Sequence, residues 1–239
     1  MIFTNWTTVL QATTVTVQNG GLFTLPPAFT TNQMSNRVWI ACDSLTIDSA
    51  GSINVDGKGY YNGNGPGKQG GSYAGAGYGG RGGDDNANGT GGSYYGSTNA
   101  PIDPGSGGSH ASGGGAVRID ASGDVKVDGV ISANGNGGTS GGSGGAIFIT
   151  CDGAFSGQSG GILRAIGGSG AYGAGGGGRI AVVCENLVKE DIQLSFWLSA
   201  GTNSVDPGGM GTLCLSNAKL MSETLDKFNG ARVIIPIFA

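Results

Sequence analysis

The segment Ala146-Ile147-Phe148-Ile149-Thr150-Cys151 carries the pattern on which the fold prediction depends. Its second, fourth and sixth residues are apolar, and such alternation is typical of a β-strand with one buried face. Equivalent segments have apolar residues at the same three positions: RVWIAC (37–42), AVRIDA (116–121) and RIAVVC (179–184). A fifth segment, GMGTLC (209–214), fits the pattern loosely.

The residues that follow each segment repeat as well. A polar turn pair such as Asp152-Gly153 comes first, and a short apolar piece such as Val125-Lys126-Val127 comes next. A third strand follows, as in Ile131-Ser132-Ala133, and a Gly-rich stretch leads back to the next repeat. A unit of roughly 30 residues that cannot bury its apolar face alone is typical of a solenoid. We therefore predict an all-β, right-handed parallel β-helix-like solenoid of about four rungs over 37–215, with long Gly-rich loops and capped ends.

Two alternative folds and one ambiguous segment remain. A β-sandwich also uses short strands and Gly/Pro turns, but it does not explain the in-phase repeat. A stack of polyglycine II helices is less favoured, because the glycines are mixed with Ser, Asn and Tyr. Upstream, Val15-Thr16-Val17 and Leu22-Phe23-Thr24-Leu25 flank Asn19-Gly20-Gly21, and they fit either a degenerate rung or an antiparallel cap.

The composition excludes several classes of protein. Of 239 residues, 52 are glycine and only 12% are charged, and so many glycines are incompatible with an ordinary helical protein. The glycines lack the three-residue repeat of collagen. A net charge of −4 disfavours nucleic acid as a partner. We expect no membrane-spanning helix, and residues 1–6 lack the features of a signal peptide.

The cysteines mark one predicted column inside the solenoid. The aligned positions are Cys42, Ala121, Cys151, Cys184 and Cys214. Neighbouring strands lie close enough for a disulfide between Cys151 and Cys184, but a ladder of buried thiols is the simpler interpretation. With one histidine and no CxxC motif, the sequence offers no zinc or redox site.

The stretch 57–115 is predicted to be a loop inserted in the first rung. It holds six of the seven tyrosines, among glycine, serine and asparagine, a composition suited to recognition surfaces. The candidate binding residues are Tyr60, Tyr61, Tyr73, Tyr78, Tyr94 and Tyr95. The competing interpretation is that the loop packs on its own solenoid, with the tyrosines as anchors.

Catalysis is not expected. The residues that could serve a polysaccharide lyase are scattered singly: Arg118, Asp120, Lys126, Asp128 and Arg164. His110 is expected to be a surface residue, and Asp84-Asp85 lies in the predicted loop, where precise catalytic geometry is difficult to hold. No cofactor is predicted; calcium would have oxygen ligands in Asp84-Asp85-Asn86 and near Asp56, but no known calcium-loop spacing is present.

Both ends depart from the repeat. Residues 1–36 and 216–239 are predicted to be caps or assembly segments. A short helix is predicted over 221–228, and the apolar tail 231–239 reads as a strand. This tail, or the N-terminal segment with Trp6, could add a strand to a neighbouring copy, which predicts a homo-oligomer or contacts within a filament or virion.

The order of residues in the Gly-rich stretches resembles that in a known group of proteins. Three stretches resemble the Gly-rich repeats of large bacterial surface proteins: Asp56-Gly57-Lys58-Gly59-Tyr60, Asp128-Gly129-Val130-Ile131-Ser132-Ala133-Asn134-Gly135 and Gly175-Gly176-Gly177-Gly178-Arg179-Ile180. The resemblance covers about 37–200 and implies a β-helical, adhesive protein without a catalytic residue. Gly-rich adhesive tips of phage fibres are loosely similar.

The expected function is therefore structural. We expect a non-enzymatic attachment protein of a phage virion or extracellular fibre, which displays the 57–115 loop to a glycan or cell envelope. The alternatives are a free-standing bacterial surface adhesin or glycan-binding module, and a polysaccharide lyase or hydrolase. Each places the protein on a virion, outside the cell or at the cell surface.

Overall fold

The computed structural model describes residues 1–71, 73–85, 89–187, 191–202, 206–216, 228–229 and 231–234, the last two ranges by their backbone only. These residues form short strands joined by turns and extended segments. The strands are β1 (Leu10–Val17), β2 (Leu22–Thr24), β3 (Val38–Ile47), β4 (Ser52–Asn54), β5 (Ala116–Ala121), β6 (Val125–Val127), β7 (Val130–Ser132), β8 (Ala146–Ser156), β9 (Ile162–Arg164), β10 (Arg179–Asn186), β11 (Ser195–Trp197), β12 (Gly211–Leu215), β13 (Phe228–Asn229) and β14 (Ala231–Ile234).

The strands form two sheets that wind into a β-solenoid. The long sheet has the order β1-β3-β5-β8-β10-β12-β14, with β6 pairing β3 and β8, and the short sheet has the order β13-β11-β9-β7-β4-β2. Pairing within both sheets is parallel, as between β8 and β10 and between β7 and β9. The predicted solenoid is confirmed, and a sandwich of antiparallel sheets is excluded. The structure has about six rungs, more than the predicted four.

The extra rungs lie at the two ends. β1 pairs β3 and β2 pairs β4, both in parallel, so residues 10–24 form a true rung and not an antiparallel cap. At the other end, β14 pairs β12 in parallel and continues the long sheet within the same chain. The helix predicted over 221–228 falls on residues outside the described part of the chain, except Phe228, which lies in β13.

The register places equivalent apolar residues one above another. Ile147 is aligned with Val117 on one side and Ile180 on the other, and Ile149 is likewise flanked by Ile119. These side chains are at most 1% exposed. Columns of buried side chains thus run along the solenoid axis, and burial of each rung depends on its neighbours.

The cysteine column is confirmed for four of its five members. Cys42 is aligned with Ala121, Ala121 with Cys151 and Cys151 with Cys184. Cys151 and Cys184 form a disulfide across the β8–β10 pair, with their Cα atoms 4.5 Å apart. The favoured interpretation of a ladder of free thiols is therefore wrong for this pair, and the disulfide alternative is correct.

Cys214 does not belong to that column. It is aligned with Ala181, three residues before Cys184, and because this shift is an odd number its side chain lies on the opposite face of the long sheet. Cys214 is nevertheless fully buried, because the 57–115 stretch covers that face; its Sγ lies 3.7 Å from the Asn99 side chain. Burial raises the pKa of the Cys214 thiol above its ordinary value.

The Gly-rich stretches are not loops in the ordinary sense. The segments 75–83, 105–115, 141–145 and 173–178, here called the glycine sector, pack side by side and exchange backbone hydrogen bonds. Gly141 N and Gly144 N donate to Gly173 O and Gly176 O, both at 2.9 Å, so residues three apart bond to residues three apart in one neighbour. The other three residues of 141–145 donate to different segments: Gly142 N to Asn136 O, Ser143 N to Ser106 O and Gly145 N to Ala133 O.

Within 141–145 the backbone N–H groups donate to other segments with a three-residue period, as in polyproline II and polyglycine II chains, which have no internal hydrogen bonds. Glycine is required because the backbones touch: a Cβ on Gly141 would lie 1.8 Å from Gly168 O, and a Cβ on Gly75 would lie 1.8 Å from Ala174 O. The strands form a β-solenoid, which confirms the preferred fold over a stack of polyglycine II helices, and the 141–145 segment adds polyglycine II-like hydrogen bonding beside it.

The N-terminal segment is held on its own solenoid. Ile2 forms a parallel bridge with Thr24 of the short sheet. The Arg37 guanidinium lies 4.8 Å from the ring centre of Trp6 and 4.1 Å from that of Trp39. Arg37 is buried, and desolvation is the largest cause that lowers its pKa. These contacts dock the segment within one chain; strand addition to a second copy stays a prediction.

Candidate functional site

The six tyrosines of the 57–115 stretch divide into two groups. Tyr60 and Tyr78 are buried, Tyr78 completely, and Tyr95 is half-buried. Tyr61, Tyr73 and Tyr94 are 37%, 42% and 58% exposed. Three of the rings therefore pack against the body, as the packing interpretation predicts, and three remain accessible; recognition of a ligand by the accessible rings stays a prediction.

Arg179, the first residue of β10, holds two anchors in place. Its guanidinium donates to the carbonyl oxygens of Tyr95 and Tyr78, at 3.0 and 3.3 Å, and to Thr212 Oγ1 at 3.0 Å. The guanidinium carbon also lies 5.3 Å from the centre of the Tyr78 ring. Since Arg179 is itself buried, one desolvated cation joins the 57–115 stretch to the outer face of the long sheet.

The phenols of Tyr78 and Tyr95 are part of the same packing. The Tyr95 hydroxyl donates to Pro104 O at 2.5 Å and accepts from Ser106 Oγ at 3.0 Å. The Tyr78 and Tyr95 rings pack at 4.6 Å between centres. Desolvation raises the pKa of both phenols well above the ordinary tyrosine value, because the phenolate would have to form without water.

The exposed surface includes an aromatic pair that spans two separate segments. Tyr73 of the 57–115 stretch stacks on Tyr172, with ring centres 4.7 Å apart and planes inclined by 29°. The two rings are 42% and 43% exposed. Gly173 N donates to Tyr73 O at 2.9 Å, which ties the two segments together beneath the rings. Tyr172 was missed at the sequence level, because nothing in its own repeat indicates that Tyr73 lies beside it.

The side chains considered for lyase chemistry are engaged with one another. Arg118 Nε lies 2.8 Å from Asp120, which also accepts from the Trp39 indole at 2.7 Å. Lys126 and Asp128 form an ion pair at 2.9 Å. The ion pairs thus give these cations a local structural role on the outer face of the long sheet.

The remaining polar candidates lie apart. His110 is exposed and has a φ of 57°; its ring contacts Ser109 and Thr139. The backbone N–H of Gly91 and the Arg81 side chain lower the pKa of Asp84. Asp85 accepts from Gly89 N at 2.6 Å. Within the described residues, no group of three or more His, Cys, Asp or Glu side chains is placed to hold a metal ion.

Comparisons with known proteins identify no relative. No family model, curated protein or solved structure matches this chain.

The described residues contain no helix long and apolar enough to cross a bilayer.

One property of the surface defines the candidate site: the exposed rings rest on a backbone that is hydrogen bonded from segment to segment. The candidate site comprises Tyr61, Tyr73, Tyr94 and Tyr172, which present aromatic faces from a fixed support.

Proposed function

We propose that this protein is a non-enzymatic attachment protein that binds a glycan or cell-envelope surface through its exposed tyrosines. The observation that carries the proposal is the stacked pair Tyr73–Tyr172 on a hydrogen-bonded support. Tyrosine supplies a large contact area with few rotatable bonds, and a preorganised site avoids the entropy cost of ordering a loop on binding. The same arrangement suits a subunit of a phage virion or extracellular fibre.

The experiment compares the binding of the purified chain with that of a Tyr73→Ala/Tyr172→Ala double variant. The probes are intact bacterial cells and immobilised envelope polysaccharides. Ile102→Ala is the matched control, because Ile102 is 38% exposed and lies in the same 57–115 stretch. We expect the double variant to lose binding and the control to retain it. Equal binding by all three proteins would refute the proposal.

A free-standing bacterial surface adhesin is the second candidate, and one observation favours it. The Cys151–Cys184 disulfide suits a protein that matures outside the reducing cytoplasm. Micrographs of the native material discriminate between the candidates. Copies built into a regular particle support the virion or fibre subunit, whereas single molecules on a cell surface support the adhesin.

A further inference from the structure

The outer face of the short sheet carries a second set of aligned polar and aromatic residues. The register aligns Asn54 with Ser132, Ser132 with Arg164, and Arg164 with Trp197. Aligned residues on neighbouring parallel strands lie about 4.8 Å apart and point to the same side. Four successive rungs thus contribute one side chain each to a straight row that lies on rigid strands.

A hydrogen-bond network fixes the first half of this row. Asp56 accepts from the Ser132 hydroxyl, from Asn134 N at 2.7 Å and from Asn134 Nδ2 at 3.2 Å. Arg164 Nε donates to Ser132 Oγ at 2.9 Å. The Asn134 carboxamide is oriented in turn, because its oxygen accepts from Ile166 N at 2.8 Å. The donors and acceptors are therefore held in place before any ligand arrives.

The second half of the row remains available for contact. Trp197 is 38% exposed, and among the described side chains none accepts a hydrogen bond from its indole N–H. The Arg164 side chain is 37% exposed, and its Nη2 lies 3.8 Å from Asp56 Oδ2, too far for a direct hydrogen bond. An aromatic face and the unused donors of a guanidinium thus lie on neighbouring rungs.

We propose that the surface along this row binds a neutral saccharide through Asp56, Asn134, Arg164 and Trp197, while the buried Ser132 positions Asp56 and Arg164. A sugar ring has an apolar C–H face, which can cover the Trp197 ring, and a rim of hydroxyls that both donate and accept hydrogen bonds. Asp56 and Arg164 offset one another's charge, so the row has no excess charge to favour an ionic ligand. A polar network on rigid strands has the preorganisation that such a site requires.

The test measures binding of neutral hexasaccharides, namely cello-, chito-, malto- and manno-oligosaccharides, by isothermal titration calorimetry. Trp197 also reports binding by its fluorescence, which is isolated in a Trp6→Phe/Trp39→Phe background. We expect saturable binding of at least one of these probes. Removal of a central aromatic anchor by Trp197→Ala should weaken it by at least about tenfold. Arg164→Met should weaken it as well.

The fluorescence of Trp197 separates this site from the tyrosine surface, because it reports a ligand that binds beside Trp197. Met210→Ala is the control variant: it removes a side chain that is 53% exposed and belongs to neither surface, and it should leave the affinity unchanged. Absence of binding to every neutral probe would overturn the proposal. Binding that Trp197→Ala leaves intact, or binding of acidic oligosaccharides alone, would also overturn it. None of these outcomes depends on the proposed attachment function.

Discussion

The substitution Gly75→Ala tests whether the glycine sector is a packed part of the fold. Gly75 is buried in the 57–115 stretch, and a Cβ there would lie 1.8 Å from Ala174 O, whereas real contacts are at least 3.0 Å. Alanine therefore forces the two backbones apart by about 1 Å. The displaced oxygen is already in use, because Ala174 O accepts from Gly83 N at 2.8 Å.

The expected cost has two parts. Overpacking of a well-packed interior costs typically about 1–3 kcal/mol, and a buried polar group that loses its partner costs about 1–3 kcal/mol. We expect Gly75→Ala to lower the free energy of unfolding by about 3–5 kcal/mol, which for a chain of this size corresponds to roughly 10 °C in Tm.

The measurement is urea and thermal denaturation followed by circular dichroism, with hydrogen exchange of the 75–92 amides. Gly160→Ala is the matched control: its φ is not left-handed, and the nearest atom to the added Cβ is Asp128 O at 4.0 Å. The control should be neutral or slightly stabilising. If Gly75→Ala matches the control in stability and in amide exchange, the 57–115 stretch is a flexible loop and the reasoning fails.

Three further predictions concern the anchors and the disulfide. Arg179→Met should destabilise the protein by about 3 kcal/mol, because it removes charge-assisted hydrogen bonds to Tyr78 and Tyr95; limited proteolysis within 57–115 should rise, and unchanged cleavage would contradict it. Absorbance titration should show the phenols of Tyr78 and Tyr95 ionising at a higher pH than free tyrosine. The free energy of unfolding should fall as the pH rises above about 10, the pKa of tyrosine in the unfolded state. Cys151→Ala/Cys184→Ala should cost about 3–4 kcal/mol, the entropy estimate for a 33-residue separation, whereas equal urea midpoints would refute that value.

The strand registers followed from short-range pattern, and they were largely correct. Val117, Ile147 and Ile180 were placed in one column because apolar residues alternate with a period of two at a constant spacing. The end rungs were undercounted. In the rung formed by residues 10–24, Val15 and Val17 follow the strand pattern, but Asn19-Gly20-Gly21 resembles a hairpin turn. Only the parallel pairing of β1 with β3 shows that this segment is a rung and not an antiparallel cap.

The role of the individual tyrosines could not be predicted, because it depends on contacts between segments distant in the chain. The Arg179 guanidinium donates a hydrogen bond to Tyr78 O, and the Tyr73 ring stacks on Tyr172. The residues next to either tyrosine in the sequence do not indicate these contacts. The disulfide likewise required the actual geometry, since Cys151 and Cys184 were expected to be neighbours either as thiols or as a bonded pair.

The amino-acid sequence by itself determined that this chain is a parallel solenoid, because alternating burial is a local property repeated at a fixed spacing. Only the tertiary structure decided what the glycines do. A glycine has no side chain whose pattern could reveal its partner, and Gly141 is required only because another backbone lies where its Cβ would be. Which tyrosine rings are buried and which are exposed depends on such contacts between distant segments.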